Sequence, residues 1–232
     1  MASQYSQAPR GRPSRLPARL CPRPRILFVG INPSLTSARV GHHFAGPGNP
    51  FYRLLHAAGL VPEPLTFVDD VRLPALGLAL TNIAERATRE ASELTAADYA
   101  RGRRRLARTI AAVRPAVVAF VGRTAYRQFV GASASPGAGP KPERIAGAAV
   151  FVVPNPSGRN AAYPGFGDKL VWYRRLRRWA DRARGGAEPV EGGPGSGFPR
   201  LSTASTRVLY AHGLRSASTP VRRARRRPRD GR

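Results

Sequence analysis

The 232-residue chain predicts a three-layer α/β/α sandwich around a central, mainly parallel four-stranded sheet. Two observations carry this reading. Short apolar runs rich in β-branched and aromatic residues each end in Gly, Pro or Asn, as buried parallel strands do when they empty into loops. Between them lie segments with helical periodicity, the alternation of a sheet covered on both faces. A third observation locates the business end. Two of the runs open into polar loops stiffened by proline, Gly30-Ile31-Asn32-Pro33-Ser34-Leu35 and Pro154-Asn155-Pro156-Ser157-Gly158-Arg159-Asn160. Ligand crevices in open α/β sheets form at the carboxyl ends of strands.

In chain order, the first strand is expected at about 25–29. A helix over 47–58 follows, with Pro47 near its start, Gly59 as terminator and Phe51, Leu54, Leu55 and Ala58 as its core stripe. Residues 78–83 read as the second strand. Thr95 to Val113 is a helix with Thr95 as N-cap and Asp98 three residues on. Arg101, Arg103, Arg104, Arg105 and Arg108 are expected on an exposed arc of it, and Pro115 stops it. Residues 117–121 form the third strand, 124–130 a short helix, and 131–142 a Gly/Pro/Ala/Ser loop. The fourth strand is expected at 149–153, and a last helix at about 167–184 on the stripe Leu170, Tyr173, Leu176 and Trp179.

The domain reading is a flexible basic arm over 1–24, one folded domain over 25–184, and a disordered Arg-rich tail over 185–232 with no periodicity. Lys141 and Lys169 are the only lysines, and the formal charge is +26. An imbalance this large implies a polyanionic partner, because binding phosphates releases condensed counterions. The arginine preference by itself also fits a GC-rich genome, but that does not account for the scarcity of acids. Cys21 is the only cysteine, which excludes an intrachain disulfide and a multi-cysteine metal or iron–sulfur site. No apolar run approaches membrane-spanning length and the N-terminus lacks the apolar centre of a secretory signal, so an intracellular protein with no membrane partner is expected.

On the residues alone, Asn32 could cap a turn before Pro33, or present its amide to a ligand. The ordered motifs bear on that choice. Gly30-Ile31-Asn32-Pro33, then Gly41-His42-His43-Phe44, Gly46-Pro47-Gly48-Asn49 and Phe51-Tyr52 resemble the first motif of the mismatch-specific uracil/thymine-DNA glycosylases. These form one branch of the uracil-DNA glycosylase superfamily. Thr81-Asn82-Ile83-Ala84-Glu85-Arg86 resembles the middle segment of its thymine-glycosylase side, and Asn155-Pro156-Ser157-Gly158 the second motif of its bacterial members.

The resemblance implies a monofunctional DNA glycosylase that flips a nucleotide out of the stack and hydrolyses its glycosidic bond. Asn32 would hold the nucleophilic water through its amide oxygen. Ile31, Ser37, His43, Phe44 and Asn82 would form the base pocket, with Phe44 stacked on the base and Ser37 beside the pyrimidine C5 edge. His42 and His43 follow the thymine-glycosylase pattern. Gly158, Arg159 and Asn160 would enter the duplex, Arg159 filling the vacated stack; Asn155, Ser157 and Lys169 would meet the DNA backbone. The substrate implied is double-stranded DNA carrying G·U or G·T mispairs, acted on by a monomer with no metal and no cofactor. No lysine lies in the motif loops, which disfavours a Schiff-base step. Two rival readings remain open at this point: action on deaminated purines such as hypoxanthine or xanthine, and a catalytically silent DNA-binding module.

Overall fold

The computed structural model describes residues 16–157 and 160–185. Five strands form one sheet: β1 (Ile26–Gly30), β2 (Leu78–Asn82), β3 (Val117–Val121), β4 (Gly139–Ile145) and β5 (Ala148–Val153). Their spatial order is β2-β1-β3-β5-β4. The first three and β5 run parallel, in register from Ile26 opposite Leu78 and Val117 to Val121 opposite Val153. Connections from β1 go to one side and those from β3 to the other, so the topological switch point lies between them.

Residues alternate between two apolar layers along each parallel strand. Ile26 and Phe28 face the helices α2 (Phe51–Ala57) and α5 (Phe166–Gly185), in a core with Leu54, Leu55, Tyr173 and Leu176. Leu27 and Val29 face α3 (Ala96–Val113) and α4 (Arg123–Val130), in a core with Leu106, Ile110 and Tyr126. The predicted three-layer sandwich is therefore the observed one.

The strand count is corrected from four to five. The stretch read as a loop over 131–142 enters β4, which pairs antiparallel with β5. Pro140 and Pro142 mark it as loop in the sequence, yet an edge strand has one side with no partner to require amide donors. Its inward face carries buried Lys141 and Glu143. Glu143 accepts from the Tyr126 hydroxyl at 2.8 Å, and Lys141 Nζ donates to Pro136 O at 2.7 Å and Gly137 O at 2.9 Å. Charges turned inward on an edge strand block pairing with another chain.

Other boundaries moved for local reasons. The helix expected from 47 begins at Phe51, because Gly48 has φ +66° and Asn49 Oδ1 accepts the Phe51 amide at 3.0 Å. A short helix not foreseen, α1 (Leu35–Val40), is capped by Ser34, whose side chain accepts from Ser37 N. A 3₁₀ segment over Phe67–Leu76 supplies Asp70. The Thr95–Asp98 capping box of α3 is present as expected. Within the arc expected on α3, Arg103 and Arg105 are half-buried, since they donate to carbonyls in the last turn of α4 and just past β2. Within residues 16–24, inside the span expected as an arm, Arg19 lies at the outer edge of β2, where it and Leu80 exchange backbone hydrogen bonds of 2.9 and 2.8 Å, and Arg23 N donates to Val113 O at 2.7 Å. Among the described residues no helix is long and apolar enough to cross a membrane.

Candidate active site

The loops after β1, β2, β3 and β5 all emerge at the carboxyl end of the sheet. Asn32 and Asn155 stand on either side of β3, so their loops are about 10 Å apart at the strand ends. Gly122, just past β3, packs against the second loop and donates its amide to Val153 O at 2.8 Å. Its φ is +98°, and a side chain there would press the Cβ of Asn155 at 3.2 Å.

Asn32 has its amide nitrogen fully engaged. Nδ2 approaches Pro33 O at 3.1 Å, Arg86 O at 3.0 Å and Thr88 Oγ1 at 2.7 Å. Carbonyls only accept, so the nitrogen end must face them and the orientation of the amide is decided. Thr88 is also an acceptor here, since its own hydroxyl proton goes to Glu90 O at 2.7 Å. The Asn32 side-chain oxygen is left with no partner among the described residues, able to accept a hydrogen bond. An amide cannot take up a proton near neutral pH, so this oxygen can orient a water but not deprotonate it.

The loop that grips Asn32 is itself held to α3. Arg86 pairs with Asp98 at 3.1 Å, while Asp98 accepts from Thr95 N and Oγ1 at 2.9 Å each. The hydrogen bonds from Thr95 first, and Arg86 after them, draw the Asp98 carboxyl down to about 2. Arg105 donates to the Ile83 carbonyl at 3.1 Å and to that of Asn82, fixing the end of β2.

Asn82 and Phe44 converge on Gly30. A Cβ on Gly30 would collide with the Asn82 side-chain oxygen and would stand 3.9 Å from the Phe44 ring. Asn82 is 8% exposed, and its amide makes no hydrogen bond among the described residues. Phe44 stacks on Phe51 with ring centroids 3.9 Å apart and planes 21° apart. Its φ of +55° lies in the left-handed region, costly for a bulky side chain and typical of positions held for function. One face of Phe44 is covered by Phe51, and the ring is only half-buried.

Three expected site residues turn inward. His43 is 2% exposed, and its Nε2 donates to Pro17 O at 3.0 Å. Burial is the main cause that pushes its imidazole down to about 4, so it is a neutral tether for residues 16–19 rather than an open pocket wall. Ser37 is buried, with Oγ accepting from Ala45 N at 3.2 Å and Ser34 Oγ at 3.1 Å. Lys169, expected at a DNA phosphate, is 2% exposed and donates to Pro164 O at 3.1 Å. Its position on the inner side of α5 explains this, because an ammonium there must find a carbonyl.

Ile31 is half-buried against the α3/α4 layer. In the second loop, Asn155 Oδ1 accepts Ser157 N at 2.9 Å, and Asn160 Nδ2 donates to Asn155 O at 3.1 Å. These bonds shape a tight turn and leave Ser157 half-buried. Gly158 and Arg159 lie outside the described residues.

Sequence reasoning missed Thr88, Gly122 and the Asp70 cluster. Asp70 is fully buried, paired with Arg19 at 3.0 Å, with His42 Nδ1 donating at 2.9 Å and His43 N at 2.8 Å. His42 is thus committed to a carboxylate. Gly122 carried a signal, a glycine directly after an apolar strand; Thr88 carried none. Among the described residues no three His, Cys, Asp or Glu gather as a metal-holding set.

Residues 17–177 match the model of the uracil DNA glycosylase superfamily. Among solved structures, the chain is similar to a Methanosarcina acetivorans protein determined by NMR in solution and provisionally named a uracil DNA glycosylase. The two share 21% identity over 71% of this chain and 98% of that one, with a TM-score of 0.49.

Proposed function

The chain belongs to the uracil DNA glycosylase superfamily, and from that premise we propose that it is a monofunctional, mismatch-directed glycosylase. It hydrolyses the bond between deoxyribose and uracil, and accepts thymine or modified pyrimidines less readily, where the base faces guanine. The observation that carries this reading is the Asn32 amide, whose nitrogen is consumed by Pro33, Arg86 and Thr88 and whose oxygen is left to accept.

The mechanism follows from that geometry. The flipped base enters beside Phe44, which offers its uncovered face for stacking worth roughly 1–3 kcal/mol. Asn82, uncommitted at the end of β2, hydrogen-bonds the pyrimidine edge. The glycosidic bond opens with positive charge growing on the sugar and negative charge on the base. Asn32 Oδ1 holds a water against the sugar carbon, and the water's proton leaves to solvent after attack. Because an amide supplies no general base, a factor of ~10²–10⁴ is forgone. Such an enzyme depends on bases that flip cheaply, which favours wobble pairs. Arg159 is the residue that fills the vacated stack and donates to the orphan guanine.

The enzyme works as an intracellular monomer on double-stranded DNA, with residues 1–15 and 186–232 adding non-specific attraction. The test is base release from G·U, G·T, A·U and single-stranded uracil substrates, with a hypoxanthine duplex alongside. Fastest release from G·U supports the reading. Release from hypoxanthine alone, or no abasic product from any substrate, overturns it.

A further inference from the structure

Two groups of arginines stand out among the described residues. Arg19, Arg25, Arg72, Arg86, Arg101 and Arg105 are each within 4 Å of a carboxylate. Arg174, Arg177 and Arg178 on α5 are exposed, and among the described residues no carboxylate lies within ion-pair distance of any of them. These three line a cleft of about 340 Å³ together with His56 and the chain at Gly59, where α2 ends.

The cleft is remote from Asn32. Arg25, at the amino end of β1, donates to Leu60 O at 3.0 Å and pairs with Asp181 at 3.3 Å. The end of α2 and the last turns of α5 therefore lie at the amino ends of the strands, opposite the loops that carry Asn32 and Asn155.

We propose that this cleft is a second phosphate-binding site, which takes the phosphodiester backbone of a nucleic-acid segment other than the one holding the lesion. Three guanidinium forks present donors in the geometry that phosphate oxygens accept. Arg174 and Arg178 stand one helical turn apart, about 6 Å, and Arg177 approaches Gly59 closely enough that any side chain there would displace it. Three unpaired cations side by side repel one another, and a polyanion removes that cost. The proposal rests on the reading of the chain as a DNA-acting protein, and its role is to keep the enzyme on undamaged DNA between lesions.

The test uses the full chain and a lesion-free 30-base-pair duplex, with affinity measured against salt concentration. Replacing Arg174, Arg177 and Arg178 together by Gln is expected to flatten the slope of log affinity against log salt by about 2–3. Replacing them by Lys is expected to keep most of the slope. Single-turnover base release at saturating enzyme stays at the wild-type rate in both. A single Arg178→Gln variant, expected to lower the slope by about one, covers the case in which the triple variant does not fold. As control, the exposed Arg104 and Arg108 of α3 are replaced by Gln. An unchanged slope in the α5 variants, or an equal loss per charge in the α3 control, overturns the site. Absence of base release by the wild-type protein would instead sink the glycosylase reading and leave the slope comparison standing.

Discussion

Thr88 Oγ1 accepts a hydrogen bond from the Asn32 amide across 2.7 Å and donates its own to Glu90 O at the same distance. The two residues are 56 positions apart, and the relay makes one amide orientation the only satisfiable one.

Asn32→Ala removes the acceptor that positions the water, so single-turnover base release from G·U duplex is expected to fall on the order of 10²-fold. Binding to the same duplex stays near wild type. Thr88→Val keeps the volume but drops the hydrogen bond that orients the Asn32 amide, worth about 1 kcal/mol, so release slows about fivefold. A Thr88→Val protein at full rate would show that the relay does not matter to the chemistry.

Gly30→Ala places a methyl group where the Asn82 amide oxygen stands. Base release at subsaturating substrate is expected to drop about tenfold through loss of the Asn82 contact. The two positions should then be non-additive, because residues in contact share one interaction. In an Asn82→Ala background the Gly30 substitution should cost little. Equal penalties in both backgrounds would separate Gly30 from Asn82.

Stability should depend on pH through His43. Its folded value, about 4, lies below its ordinary 6.5 because of burial. The unfolded chain therefore binds a proton that the folded one refuses. Stability from this group is complete above about pH 6.5 and is lost as pH falls toward 4. Urea midpoints measured from pH 7 to 4.5 should decline more steeply for wild type than for His43→Gln, which keeps a donor for Pro17. Parallel declines would remove His43 as the cause.

Arg159→Ala should slow release from G·U duplex well beyond its effect on single-stranded uracil. Filling the vacated stack offsets an unstacking cost of a few kcal/mol that is smaller without a partner strand. A plain phosphate contact would weaken all duplexes alike and lower the salt slope by about one. Comparing both rates and the slope decides the role.

Local chemistry made much of the protein legible from its residues. The runs at about 25–29, 78–83, 117–121 and 149–153 announce buried strands, found within a residue of those bounds, because two apolar faces demand continuous hydrophobic sequence. Thr95 and Asp98 announce a helix start because the cap is made within four residues. Asn32 is placed at a crevice by standing just past a parallel strand. Whatever depends on a distant partner was decided only by the tertiary structure. β4 is a strand because β5 lies beside it, despite two prolines. His43 and Lys169 turn inward because Pro17 and Pro164 offer carbonyls there. The direction of the Asn32 amide is set by Arg86 and Thr88, which no spacing near residue 32 could foretell. Periodicity reports which side of an element is dry; a polar side chain's partner depends on which segments the sheet brings together.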